Sequence, residues 1–209
     1  KENYMNLIKS RSAYKLYSFY LIGTLVLTLI GSVVGTLFPI NKGFLILYGV
    51  LSIGLSVALL VSKGKVKQII LAVFCFGEGA FISPLFSLVS PALLVYALLV
   101  TVFITILAMI VGAKMKYSSK MGEILYSILF IGFIYTTLCL FFPLPPLSIF
   151  FVILFTAYIA HDISLFKEEV NNHNGELPTD EIIDHVLMMY LNILNVFLRI
   201  LEFLSHFAE

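Results

Sequence analysis

Residues 181–207 read EIIDHVLMMYLNILNVFLRILEFLSHF, and the interpretation of the whole chain turns on this stretch. It is apolar enough to cross a bilayer, yet His185, Asn192, Asn195, Arg199, Glu202 and His206 interrupt it at spacings of 7, 3, 4, 3 and 4. Those spacings put all of these polar groups on one face of an α-helix. Lipid gives a helix no reason to carry such a stripe, so the face is expected to look into a helical bundle. Its expected partner there is Asp162, a lone carboxylate in the preceding apolar segment.

Composition sets the class. Of 209 residues, 60% are hydrophobic and 12% charged, with mean hydropathy +1.04, against about 25% charged in a soluble domain. An integral membrane protein follows, with the lipid bilayer as its surroundings. The formal charge of +1 and the scattering of Lys and Arg through short loops exclude a nucleic-acid groove. Cys75 and Cys139 lie inside apolar runs and read as small packing residues rather than a disulfide. No short apolar run with a small-residue cleavage site opens the sequence, so no removable signal peptide is expected.

A span needs about 20 apolar residues, and seven candidates emerge, at 16–38, 44–61, 67–88, 91–112, 122–142, 147–166 and 181–207. The first stops at Pro39, and Pro143, Pro145 and Pro146 break the chain after the fifth. Together they predict an all-α, single seven-helix transmembrane domain over residues 1–209. Eleven basic residues fall in the amino-terminal arm and alternate loops (Lys1, Lys9, Arg11, Lys15; Lys63, Lys65, Lys67; Lys114, Lys116, Lys120; Lys167), against only Lys42 in the others. That bias places the amino terminus in the cytosol and the carboxy terminus outside. Thr179 or Asp180 is suited to cap the seventh helix.

Each polar group within a span has two readings. Asp162, about five residues from the cytosolic end of its span, either reaches the headgroups or is a gating carboxylate with Lys63, Lys65 or Arg199 as counter-charge. Glu78 sits near the midplane, where a charge costs ~3 kcal/mol. It is either a protonated structural group or a cation contact. Gly77 and Gly79 beside it let another backbone approach, and Pro84 frees the Ala80 carbonyl. Arg199 and Glu202, three apart, neutralise each other in part. His161 and His185 are either hydrogen-bonded structural groups or proton-responsive ones, since imidazole titrates near pH 6.5. Met188 and Met189 read as packing residues.

Enzyme chemistry is not expected. No HExxH, paired CxxC, phosphate loop or Gly-x-Ser-x-Gly elbow occurs. Intramembrane proteolysis would need a Ser–His pair or two aspartates within spans, whereas Asp162 has only Asp184, near a helix start, to match it. No cofactor is implied.

Four segments carry a resemblance: GEGAFISP (77–84), VGAKMK (111–116), the His161-Asp162 pair, and above all MYLNILNVFL (189–198). With these the chain resembles the Bax-inhibitor, or transmembrane Bax inhibitor motif, family, and especially its small bacterial members. The resemblance implies a seven-helix fold with the last helix enclosed by the other six. It also implies a pH-sensitive calcium leak in the cytoplasmic membrane of a prokaryote. In that family two aspartates on the last two helices share hydrogen bonds and a proton. Asp162 matches the first, but Asn192 stands where the second is usual, and an Asp–Asn pair cannot share a proton as two carboxylates do. The family's Tyr-Asp is His161-Asp162 here, and its basic residue at the end of the second helix is matched only loosely by Lys63 or Lys65.

The leading expectation is therefore a calcium leak lined by Glu78, Asp162 and the stripe residues Asn195, Arg199 and Glu202, with Glu78 and Asp162 as transient calcium contacts. Asp162, Asn192, His161 and His185 would be its gate or pH sensor. The alternative is a non-conducting regulator that binds a membrane protease or stress-response partner. Proton-coupled transport of a small solute would suit Glu78 but lacks an internal repeat.

Overall fold

The computed structural model describes the backbone of residues 2–37, 42–139, 141–142 and 145–206. These residues form seven helices and no strand: α1 (Glu2–Thr36), α2 (Lys42–Val61), α3 (Gly64–Leu88), α4 (Pro91–Lys114), α5 (Ser119–Cys139), α6 (Ser148–Asn172) and α7 (Thr179–His206). Six of them are long and apolar enough to cross a membrane, while α2 contributes the shorter apolar stretch Leu47–Val61. The expected stops at Pro39 and Pro143, and the span ends at Phe38 and Phe207, lie outside the described residues.

Two helices run further than their apolar segments. α1 starts at Glu2 rather than at residue 16, because the polar residues before it include no Pro or Gly to break it. α6 continues through Lys167-Glu-Glu-Val-Asn-Asn to Asn172 for the same reason. It ends where Asn174 and Gly175 adopt positive φ, and Gly175 N donates to the Val170 carbonyl at 2.8 Å. The Lys167 ammonium meanwhile donates to the carbonyls of Ala113 and Met115 at 2.8 and 3.0 Å, satisfying the carboxyl end of α4.

The chain divides into two compact units, one of Lys1–Ser90 with Val170–Tyr190 and one of Pro91–Glu169 with Leu191–Glu209. In the first, α1 lies against α3 at backbone distance. A Cβ on Gly79 would overlap the Thr28 carbonyl, so only glycine permits this approach. In the second, α4 buries only small residues, Ala97, Thr101, Thr105, Ala108 and Gly112, and Gly112 rests on the backbone of Ala160 in α6. α6 itself is buried without interruption from Ile159 to Ser164, on every face. Hydroxyls within the helices mostly turn back on their own backbone. Thr24 donates to Leu21, Ser32 to Leu29, Thr101 to Ala97, Thr156 to Val152 and Ser164 to His161, which satisfies them without a neighbour.

Candidate functional site

The second unit brings together the residues singled out on α6 and α7. Asn192 Nδ2 donates to Asp162 Oδ2 at 2.6 Å. Asp162 is 6% exposed and stands ten residues before α6 ends at Asn172. α6 thus runs past the end of its apolar segment, and Asp162 is buried within the protein. A charged acceptor makes this hydrogen bond short and worth about 1.5–3 kcal/mol.

His161 adds a second side to the pair. Its Nδ1 lies 3.8 Å from Asp162 Oδ1, beyond hydrogen-bond length. The ring is buried, tilted against Tyr117 with centroids 5.5 Å apart, and fits because Gly122 of α5 leaves room for its edge. His161 Nε2 and the Tyr158 hydroxyl, one turn before Asp162, are buried with no hydrogen-bond partner among the described residues. Two such atoms beside one buried carboxylate set this point apart, since buried polar groups are almost always satisfied.

The rest of the stripe on α7 is satisfied more locally. Asn195 donates to the Leu191 carbonyl of its own helix at 2.8 Å. Arg199 donates to Glu202 at 2.9 Å, and its guanidinium sits 4.6 Å from the centre of the Phe151 ring. His206 is exposed. The fully packed side of α7 is apolar instead, with Ile182, Val186, Met189, Ile193, Val196 and Ile200 all buried, and the stripe flanks it half-buried from Asn192 to Glu202. Apolar area outweighs polar contacts in choosing which face a helix packs. Met188, expected to pack, is 38% exposed, whereas Met189 is fully buried.

The first unit holds the remaining candidates. Glu78 is half-buried and shares a hydrogen bond with the Tyr48 hydroxyl; Gly77 leaves the space that the Tyr48 ring fills. The Ala80 carbonyl freed by Pro84 is taken by the Ser83 hydroxyl at 2.7 Å. His185 is 4% exposed. Lys63 and Lys65 are exposed at the start of α3.

Three contacts escaped the sequence reading. Lys67, counted as a loop charge, is 4% exposed and pairs with Asp184 of α7 at 2.6 Å. Asp180, one of the two residues suited to cap its own helix, accepts from Gly64 N of α3 at 2.8 Å; Gly64 has φ +59 and opens a helix whose preceding residue, Lys63, offers no side-chain cap. The Tyr190 hydroxyl lies 2.8 Å from Thr28 Oγ1. The spacing of Asp180 and Asp184, one turn apart on one face, was the available signal for the first two.

Fold and site together define an all-α integral membrane protein with a buried carboxylate held between its last two helices. The family described as "Inhibitor of apoptosis-promoting Bax1" matches residues 11–209, and the chain belongs to this Bax-inhibitor family. No curated protein matches it.

Proposed function

We propose that this protein is a pH-sensitive calcium leak of a prokaryotic cytoplasmic membrane, gated at the Asp162–Asn192 pair, with its amino terminus in the cytosol and its carboxy terminus outside. The observation that carries the reading is the 2.6 Å bond between a buried membrane carboxylate and the last helix, in a chain of this family. While Asp162 is charged, the Asn192 amide makes a charge-assisted bond that ties α7 to α6. Protonation leaves a neutral bond of roughly half the strength. Acid therefore loosens the tie. Asn192 itself does not titrate, so the pair cannot share a proton as two carboxylates do.

Glu78, tied to Tyr48, is the proposed calcium contact of the first unit. Among the described residues no three His, Cys, Asp or Glu side chains converge, so each carboxylate meets the passing ion singly, as a leak rather than a storage site requires. The test is calcium entry into liposomes across a pH series. Flux is expected to rise as pH falls for the unaltered protein and to lose that dependence in Asp162→Asn. Asn192→Asp is expected to add a second step. Flux no greater than that of empty liposomes at every pH would sink the leak reading.

A second reading is a non-conducting regulator that binds a membrane protease or stress-response partner. The local satisfaction of Glu78, Asn195, Arg199 and Glu202 favours it, because groups bound to neighbours stabilise a scaffold without conducting. Partner capture from mild detergent that survives Asp162→Asn and Glu78→Gln, with no flux, would support it.

A further inference from the structure

α6 begins with amides that its own helix does not use. Phe151 N donates to the Leu147 carbonyl at 3.0 Å and closes the first turn, so the N–H groups of Ser148, Ile149 and Phe150 precede every acceptor the helix can supply. Leu147 stands at the capping position, and its side chain has no oxygen with which to take them. Pro145 and Pro146 before it stiffen the approach of the chain, and the Pro145 carbonyl accepts from the Tyr135 hydroxyl of α5 at 2.6 Å. Behind the free amides stand 25 residues of aligned peptide dipoles, which give this end of α6 a partial positive charge.

A groove of about 390 Å³ opens at the same point, within the second unit, between the start of α6 and Phe203 and His206 at the end of α7. Ser148 lines it. That residue is 4% exposed, and its hydroxyl is buried with no hydrogen-bond partner among the described residues. His206 lines the groove from α7 and is exposed, and an imidazole offers an N–H whether neutral or charged. Glu202, one turn before His206, is engaged by Arg199 at 2.9 Å, which leaves no carboxylate for an ammonium. α6 and α7 are both long and apolar enough to cross a membrane, so the groove where one starts and the other ends stands at a bilayer surface. Ile149 and Ile153, exposed one turn apart, continue from it along α6.

We propose that this groove binds the headgroup phosphate of an anionic membrane phospholipid, held by the first amides of α6, the Ser148 hydroxyl and the His206 imidazole, with an acyl chain along Ile149 and Ile153. Free amides at the positive end of a helix suit a charged phosphate oxygen. A zwitterionic headgroup brings an ammonium that finds no partner here, so a net-anionic lipid binds more tightly. The site is separate from the Asp162–Asn192 contact and stands whether or not calcium crosses.

The test is native mass spectrometry of the full chain in detergent, titrated with phosphatidylglycerol or with phosphatidylethanolamine of the same acyl chains. Phosphatidylglycerol is expected to bind at the lower concentration. Ser148→Ala and His206→Ala are each expected to weaken it about tenfold, the scale of one hydrogen bond to a charged group. Leu147→Asp separates binding from folding. An aspartate there caps α6 and puts its own charge where the phosphate would sit, so lipid binding is lost while Tm holds or rises. Leu147→Ala adds no charge and keeps the lipid. Equal affinity for the two lipids overturns the proposal, as does unchanged phosphatidylglycerol binding in Leu147→Asp or an equal loss in Leu147→Ala. Displacement of the lipid by glycerol phosphate at equal concentration would make this a site for a soluble phosphate and overturn the lipid assignment.

Discussion

Breaking the Lys67–Asp184 pair should cost very different amounts from its two ends. The pair is 2.6 Å long, but Lys67 is 4% exposed whereas Asp184 is 43% exposed. In Asp184→Asn the ammonium stays buried and loses its counter-charge. Removing one partner of a fully buried pair costs about 3–5 kcal/mol, and the water that reaches the Asp184 side reduces this to about 2–3 kcal/mol. In Lys67→Met a side chain of similar length fills the buried channel, and Asp184 turns to solvent. That change costs about 0–1 kcal/mol. For a chain of this length 1 kcal/mol corresponds to roughly 2–4 °C, so Asp184→Asn should lower Tm by about 4–12 °C and Lys67→Met by less than about 4 °C. The double variant should fall near Lys67→Met, because the stranded charge is gone. Cys75 is fully buried and Cys139 half-buried, so in a Cys139→Ser background a thiol-reactive dye follows unfolding in detergent. If Lys67→Met costs as much as Asp184→Asn, desolvation of the ammonium is not what makes this pair asymmetric and the reasoning fails.

Other outcomes follow from contacts described above. Asn192→Leu leaves the buried Asp162 without its amide donor and should destabilise the protein by about 1.5–3 kcal/mol, read in the same thiol assay. Gly79→Ala should be poorly tolerated because its Cβ meets the Thr28 backbone, whereas Gly23→Ala, with nothing within 4 Å, should hold or raise Tm through better helix propensity. Lys167→Met removes the cation on the last carbonyls of α4. It should speed amide hydrogen exchange in the turn around Lys114 while leaving the middle of that helix protected.

Hydropathy located the membrane-crossing parts of the chain well where apolar segments and helices coincide, as in α3 and α4, whose ends at Leu88 and Lys114 fall within two residues of the apolar limits. It did not mark the helix ends of α1 and α6, because it reports where lipid is tolerated, whereas a helix stops only at a breaker or a cap. The pairing of Asp162 with Asn192 came from the motif around residues 189–198 and not from periodicity, which identifies a face but not its partner. Lys67 was misread because charge counting treats every lysine near a loop as solvated, and the Tyr190 contact was missed because hydropathy scores a tyrosine mainly as an apolar ring.

The distribution of polar partners also prescribes an order of assembly. Thr24, Ser32, Thr101, Thr156 and Ser164 satisfy themselves on their own helices, so these segments can enter a bilayer one at a time as the chain emerges. Lys67, Asp162 and the Tyr190 site at Thr28 differ, since each waits for a group on α7, which is made after the other six described helices. A ribosome that stalls before residue 179 would release a protein inserted yet chemically unfinished, with an ammonium on α3 and a carboxylate on α6 left without counterparts. Synthesis of α7 is thus the step at which these groups stop marking the nascent protein as a substrate for membrane quality control.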